Sequence, residues 1–331
     1  MAEGAGLLTS RVSHPPELPE HGHEPVLPVE TLEHLDPRPG QTVVDCTLGR
    51  GGHAALIAGR IGPEGLLVGL DADPRNLAYA RERLGAAPCR IHLAHANFAR
   101  LGDVLAEAGA QRVHGILADL GVSTNQLLER SYGLGFADAG SEAPLDMRLD
   151  PELPHSAADL LRIWSEKQIA NVLYSLAQER YSRRIARKIV ERRGRQPIKT
   201  VAELADLVRG CVPRERRDRG PRARMPIDPA TRTFMALRMA VNRETEALGA
   251  LLSEAPGRLL PGGRLVVISF HSGEDRLVKQ AFRDAASLGL LEVVTRKPVT
   301  PSEEEMRRNP RSRSAKLRAA RGTATEPIPS P

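Results

Sequence analysis

Cysteine is scarce. The 331 residues hold three, Cys46, Cys89 and Cys211, an odd number at wide spacing. That excludes a disulfide framework and a structural zinc module, and it predicts a reduced, cytoplasmic protein with no bound metal. Aromatics are scarcer still: one Trp, four Tyr and five Phe. An aromatic platform for stacking single-stranded bases is therefore not expected. No apolar run approaches the ~20 residues of a membrane helix, and no basic start followed by an apolar stretch suggests a signal peptide. Gly-x-Gly-x-x-Gly is missing, and so is the phosphate-loop Gly-Lys-Ser/Thr, which disfavours dinucleotide and nucleoside-triphosphate chemistry.

What the chain has is unevenly placed charge. Lys and Arg number 47 against 41 Asp and Glu. From Arg180 to Arg224 there are 16 basic and 5 acidic residues, and from Arg296 to Arg321 there are 9 and 3, so the remainder is acidic. Charge runs are often only solvated helix faces. Two of them on an acidic body point to a polyanion, most simply nucleic acid.

Short apolar runs alternate with helical stretches from Gln41 to Gly121. Strands are predicted at 42–45, 66–71, 91–94 and 113–120, and helices at 53–61, 74–84 and 101–108. Such alternation builds a parallel sheet with helices on both faces. Residues 123–150 read as a long loop and 157–212 as helices only. The α/β pattern resumes with a helix over 229–255, a turn at 258–263, a strand at 264–270, a helix at 275–286 and a strand at 291–295. The fold class is α/β, a doubly wound sheet with an inserted all-helical domain.

The first strand ends in Asp45 and runs into Cys46-Thr47-Leu48-Gly49-Arg50-Gly51-Gly52-His53. Glycines allow close backbone approach to a ligand, and a helix start offers free N–H groups. Asp71 ends the next strand, where a carboxylate can accept from both hydroxyls of a ribose. A tight turn without a ligand would look similar. Asn97-Phe98 follows the third strand, where Phe98 could stack on an adenine or simply belong to the core. Asp119 ends the fourth strand, within Ile116-Leu117-Ala118-Asp119-Leu120-Gly121-Val122-Ser123, and Gln126 follows. Three strand-end acids on one edge repel one another unless a ligand or donors pair with them.

These residues resemble the small-subunit ribosomal RNA methyltransferase H family, also called MraW. The resemblance runs from His23-Glu24-Pro25-Val26-Leu27 to Asn309-Pro310-Arg311-Ser312-Arg313-Ser314-Ala315-Lys316-Leu317-Arg318. Between them lie Pro144-Leu145-Asp146-Met147-Arg148, Glu179-Arg180-Tyr181-Ser182-Arg183-Arg184-Ile185-Ala186, Ala236-Leu237-Arg238 with Val241-Asn242 and Glu244, and Ile268-Ser269-Phe270-His271-Ser272. It implies a Rossmann-like class I methyltransferase sheet. It also implies transfer of a methyl group from S-adenosylmethionine to N4 of a cytidine in 16S ribosomal RNA near the decoding centre. Cofactor contacts would fall on Gly51, Gly52, His53, Asp71, Phe98, Asp119 and Gln126. Ala54, Thr124-Asn125, the stretch from Tyr132 to Phe136 and Gly273 depart from the family's usual residues, which puts loop 131–143 in question.

The layout expected is a disordered tail at 1–22, methyltransferase segments at 23–136 and 227–300, an RNA-facing helical insert at 137–226 and a basic tail at 301–331. Asp119 and His271 are candidate proton acceptors, although His271 could equally orient substrate or serve the fold. The usual Asp/Ser-Pro-Pro-aromatic motif of DNA amino-methyltransferases is replaced by Asp119-Leu120-Gly121-Val122. The target base must leave its stack to be reached. Arg183, Arg184, Arg187, Lys188, Arg216, Arg217, Arg311, Arg313 and Lys316 are the candidate RNA contacts. Two alternatives stand beside this reading: a methyltransferase for another nucleic acid, and an RNA-binding ribosome-assembly factor.

Overall fold

The computed structural model describes residues 24–136, 142–213 and 228–323. Seven strands form one sheet: β1 (Thr42–Asp45), β2 (Leu66–Asp71), β3 (Arg90–His95), β4 (Val113–Asp119), β5 (Leu259–Ser269), β6 (Leu291–Val293) and β7 (Lys316–Gly322). The order is β3-β2-β1-β4-β5-β7-β6. The first five are parallel, and β7 runs antiparallel between β5 and β6.

Successive residues of each strand face opposite sides of a sheet. Val43, Leu67, Leu117 and Val266 point to one side, where they meet α1 (Pro28–Leu35), α2 (Gly52–Ile61) and α3 (Pro74–Arg83) through Leu35, Ile57, Ile61 and Leu77. Their neighbours Val44, Val68, Ile116 and Leu265 point to the other. There they pack with α4 (Leu101–Glu107), α11 (Glu244–Arg258) and α12 (Ser272–Ser287) through Leu105, Leu251 and Phe282. Apolar residues on both faces are what a covered parallel sheet requires.

The helical part is α6 (Ala157–Ile163), α7 (Glu166–Ala177), α8 (Ser182–Arg193), α9 (Val201–Cys211) and α10 (Ala230–Val241). It has its own core, with Ile169, Leu173, Ile185, Ile189, Leu204 and Val208 buried against Phe234 and Leu237. The continuous helix predicted over 229–255 is instead two. It breaks at Asn242–Arg243, where Arg243 has φ 52° and α11 starts afresh. Thus α10 closes the helical core and α11 covers the sheet, and the expected boundary at 226/227 precedes a helix that still belongs to the helical core.

Two further expectations are corrected. The loop predicted over 123–150 opens with a helix, α5 (Thr124–Leu128), held by a capping box in which Ser123 and Gln126 satisfy each other's backbone N–H. Positions 301–323 are not a tail: α13 (Glu303–Arg308) leads through a 3-10 turn at Pro310–Ser314 into β7, inside the sheet. Leu317 and Ala319 are fully buried there, and Arg318 is neutralised by Asp275 of α12 at 2.7 Å. The proposed tail at 1–22 lies outside the described residues. Among the described residues, no helix is long and apolar enough to cross a membrane.

Candidate active site

The carboxyl ends of β1, β2 and β4 open on a cleft of about 680 Å³. Ligand sites of open α/β sheets lie at this edge, and the volume is that of a small-molecule site. The turn after β1 shapes its floor. Gly49 has φ 52° and donates its N–H to Asp71 Oδ2 at 2.7 Å. Gly51, at φ 76°, swings the chain into α2. Thr47 Oγ1 accepts the backbone N–H of Asp119 at 2.6 Å, which ties the ends of β1 and β4 together.

The three acids sit as the strands predict, but in different environments. Asp45 is buried and is not part of the cleft lining. Burial pushes its carboxyl up to about 6, against the pull of His53 and the Thr47 N–H. Asp71 lines the cleft and accepts N–H groups from Gly49 and Asp73. Burial nevertheless raises it to about 7, with Asp73 adding repulsion. Asp119 also lines the cleft. Its Oδ2 lies 3.6 Å from His53 Nε2, and its Oδ1 is buried with no hydrogen-bond partner. A buried acceptor without a donor is costly in a closed core and is expected where a ligand supplies the donor.

Behind Asp71 stands a second, closed network. Asp73 is 1% exposed and caps α3 by accepting the Arg75 N–H at 3.0 Å. Its Oδ2 also accepts Gln126 Nε2 at 2.9 Å and the Tyr132 hydroxyl. Burial and the bond to Asp73 hold Tyr132 protonated, as a donor. Arg75 lies 3.6 Å over the Tyr132 ring and pairs with Glu129 at 2.9 Å. Gln126, expected as a cofactor contact, does line the cleft, but both ends of its amide are engaged, one by Asp73 and one by the Ser123 N–H.

The far wall comes from the α10–α11 junction and from α12. Arg238 and Glu244 form a part-buried two-bond pair, each bond 2.8 Å. Asn242 holds the break in place by donating to Met147 O and accepting the Leu149 N–H. Glu274 lines this wall, whereas His271 does not. The His271 ring is turned into the start of α12, where Nδ1 accepts the N–H groups of Gly273 and Glu274 and Nε2 lies 3.2 Å from Glu274 Oε1. Burial would raise Glu274, but the bond from His271 holds it below the usual range. His271 was read from the sequence as a proton acceptor or as a residue that serves the fold; Nδ1 is taken by helix capping, Nε2 lies against Glu274 and the ring does not line the cleft, which favours the second role.

The family model described as the MraW methylase family matches residues 20–323. The chain belongs to the MraW methylase family. Among its relatives, proteins named ribosomal RNA small subunit methyltransferase H are 42% identical in Brevibacillus brevis, 44% in Geobacter sulfurreducens and 46% in Synechococcus elongatus. Each alignment covers 90% of this chain, and respectively 97%, 98% and 94% of the relative.

For this MraW-family chain, the structure brings Gly52, His53, Asp71, Phe98, Asp119 and Gln126 to the one cleft. Gly51 stays outside it, since a Cβ there would face Ala80 and Arg83 of α3 and Leu84 just after it. Asp73 was not singled out from the sequence, and Thr47, Gly49, Arg238 and Glu244 stood inside quoted motifs with no individual role assigned. An N-cap signal for Asp73 was present in the Pro74 that follows it. Of the basic candidates, Arg183, Arg184, Arg187 and Lys188 share the exposed face of α8. Lys188 pairs there with Glu191 at 2.7 Å, and Arg187 lies 3.9 Å from Glu166. Arg311 and Arg313 line the cleft itself, and Lys316 starts β7, 3.8 Å from Asp275. Arg216 and Arg217 lie outside the described residues.

Proposed function

We propose that this protein transfers a methyl group from S-adenosylmethionine to N4 of a cytidine in small-subunit ribosomal RNA, near the decoding centre. The names of the relatives support the substrate. The observation that carries the chemistry is Asp119 Oδ1, a buried acceptor without a partner on the cleft lining.

The residues fit the cofactor. Asp71 is a carboxylate raised to about 7 that gains from further donors, and ribose hydroxyls are such donors. Phe98 and Leu120 give the cleft apolar surface suited to a purine. The cofactor supplies a methyl group already activated on a sulfonium, so no metal is required of the protein.

The harder partner is the cytosine amine, whose lone pair is delocalised into the ring. Asp119 Oδ1 accepts an amine N–H and so localises that lone pair on nitrogen. The same atom receives the proton that the amine sheds once it is substituted. His53 Nε2 lies 3.6 Å from the other oxygen and leaves Oδ1 as the one that faces the amine. The Arg238–Glu244 pair and Asn242 hold the opposite wall rigid, which keeps the base in line with the methyl group. The basic face of α8 lies outside the cleft and serves the RNA backbone in a sequence-independent way.

The test is transfer of labelled methyl to small subunits that lack the modification, followed by digestion and nucleoside analysis. N4-methylated cytidine is expected. A different methylated nucleoside would move the substrate to another nucleic-acid target. Cofactor binding with no transfer would favour an assembly factor.

A further inference from the structure

One wall of the cleft is built from two segments distant in sequence and bound tightly together. Glu305 of α13 accepts the Leu27 N–H at 2.7 Å, Arg308 pairs with Glu24 at 2.7 Å, and Asn309 donates to Glu24 O. The 3-10 turn that follows is closed by the fully buried Ser312, whose hydroxyl donates to Asn309 O at 2.8 Å. This frame is rigid, and it presents Arg311 and Arg313 to the cleft.

Four of the neighbouring cations are spent on acids. Arg308 has Glu24, Lys316 and Arg318 share Asp275, and Arg321 has Glu292. Arg311 and Arg313 have no ion pair and no hydrogen bond among the described residues. Arg311 is also half-buried, and burial alone pulls its guanidinium down. Desolvating a cation without a counter-charge is expensive, and a fixed, unpaired guanidinium fork is the geometry that accepts an oxyanion.

We propose that Arg311 and Arg313 seat a backbone phosphate of the RNA strand that carries the target base. This rests on the reading of the cleft as an RNA methyltransferase site. The other oxyanion within reach of such a cleft is the carboxylate of S-adenosylmethionine. That molecule also carries a sulfonium and an ammonium, so two unpaired cations beside it would be repelled on balance. A phosphodiester has no such offset. The seat makes the cleft select a nucleotide within a strand over a free nucleoside. It does so independently of α8, whose basic face lies outside the cleft lining.

The experiment uses the full chain as wild type, Arg311→Gln, Arg313→Gln and Arg311→Lys. Binding to unmodified small subunits is measured across salt concentrations, S-adenosylmethionine affinity by calorimetry, and KM and kcat where turnover allows. Arg311→Gln is expected to weaken subunit binding by roughly ten- to a hundredfold, the worth of a charge-assisted contact. Its log-affinity against log-salt slope should be shallower by about 0.7. Arg311→Lys should recover part of the loss, and cofactor affinity should not change, which also shows that the variants are folded. Loss of cofactor affinity with intact subunit binding would assign the seat to the carboxylate and overturn the proposal. So would subunit binding and salt slope equal to wild type. The binding arm needs no turnover, so a wild-type protein that methylates another position would refute the cytidine reading and leave this test standing.

Discussion

Tyr132 and Asp73 belong to one buried unit, and removing either partner should cost measurably more than removing an ordinary surface bond. Asp73 accepts three hydrogen bonds at 1% exposure, from the Arg75 N–H, Gln126 Nε2 and the Tyr132 hydroxyl. Asp73→Ala removes a helix cap, worth about 1 kcal/mol. It also strands two buried donors, at about 1–3 kcal/mol each. The total is on the order of 3–7 kcal/mol, at the upper end for single substitutions. Tyr132→Phe keeps the ring beneath Arg75 and loses one bond to a charged group, about 1.5–3 kcal/mol. In the Asp73→Ala background the same change has no bond left to remove, so the cycle should show coupling of about 1.5–3 kcal/mol. Urea unfolding at matched slopes measures all four proteins. A cost for Tyr132→Phe below about 0.5 kcal/mol, or strict additivity, would refute the buried-unit account.

Other outcomes follow from the same geometry. Asp71 has its pKa raised in the folded protein to about 7, so its stabilising contribution is complete below its unfolded value near 3.8 and is lost as pH rises through 7. Asp71→Asn should therefore remove a fall in apo-protein stability between about pH 4 and 7, read as urea midpoints against pH. Ribose hydroxyls prefer the ionised acceptor, so S-adenosylmethionine affinity should rise by roughly fivefold from pH 6 to 7 in wild type and stay flat in Asp71→Asn, by calorimetry. His271→Asn retains a capping side chain and should keep kcat within about threefold. A hundredfold fall in kcat with intact folding would restore His271 as a proton acceptor, such losses being typical of a missing acid or base. Replacing Arg183 and Arg184 together by Gln should weaken RNA binding uniformly across sequences and flatten its salt dependence by about 1.4 in log slope.

The sheet and its acidic rim were legible in the sequence because both are local. Val43 and Val44, or Leu67 and Val68, are consecutive apolar residues that serve opposite faces, and Asp45, Asp71 and Asp119 each close such a run. What escaped depends on partners far along the chain. Residues 316–322 read as a charged tail because Arg318 is neutralised only by Asp275, 43 positions earlier. The break after Val241 is stabilised by Asn242 reaching Met147 O, 95 positions away, which no helical period records. His271 was read two ways from the sequence, as a proton acceptor or as a residue that serves the fold. Its position on the strand rim suggested catalysis, but Glu274 three residues on was already the mark of a capping box. Gln126 combines both lessons: it lines the cleft, while its amide is consumed by Ser123 nearby and Asp73 53 positions away.

The most direct test of the central claim, that cofactor and target base meet over the ends of β1, β2 and β4, is a crystal structure with S-adenosylhomocysteine. The account predicts ribose hydroxyls within hydrogen-bond distance of the Asp71 carboxylate and the sulfur on the Asp119 side of the cleft. Density elsewhere, or a ribose that leaves Asp71 untouched, would contradict it.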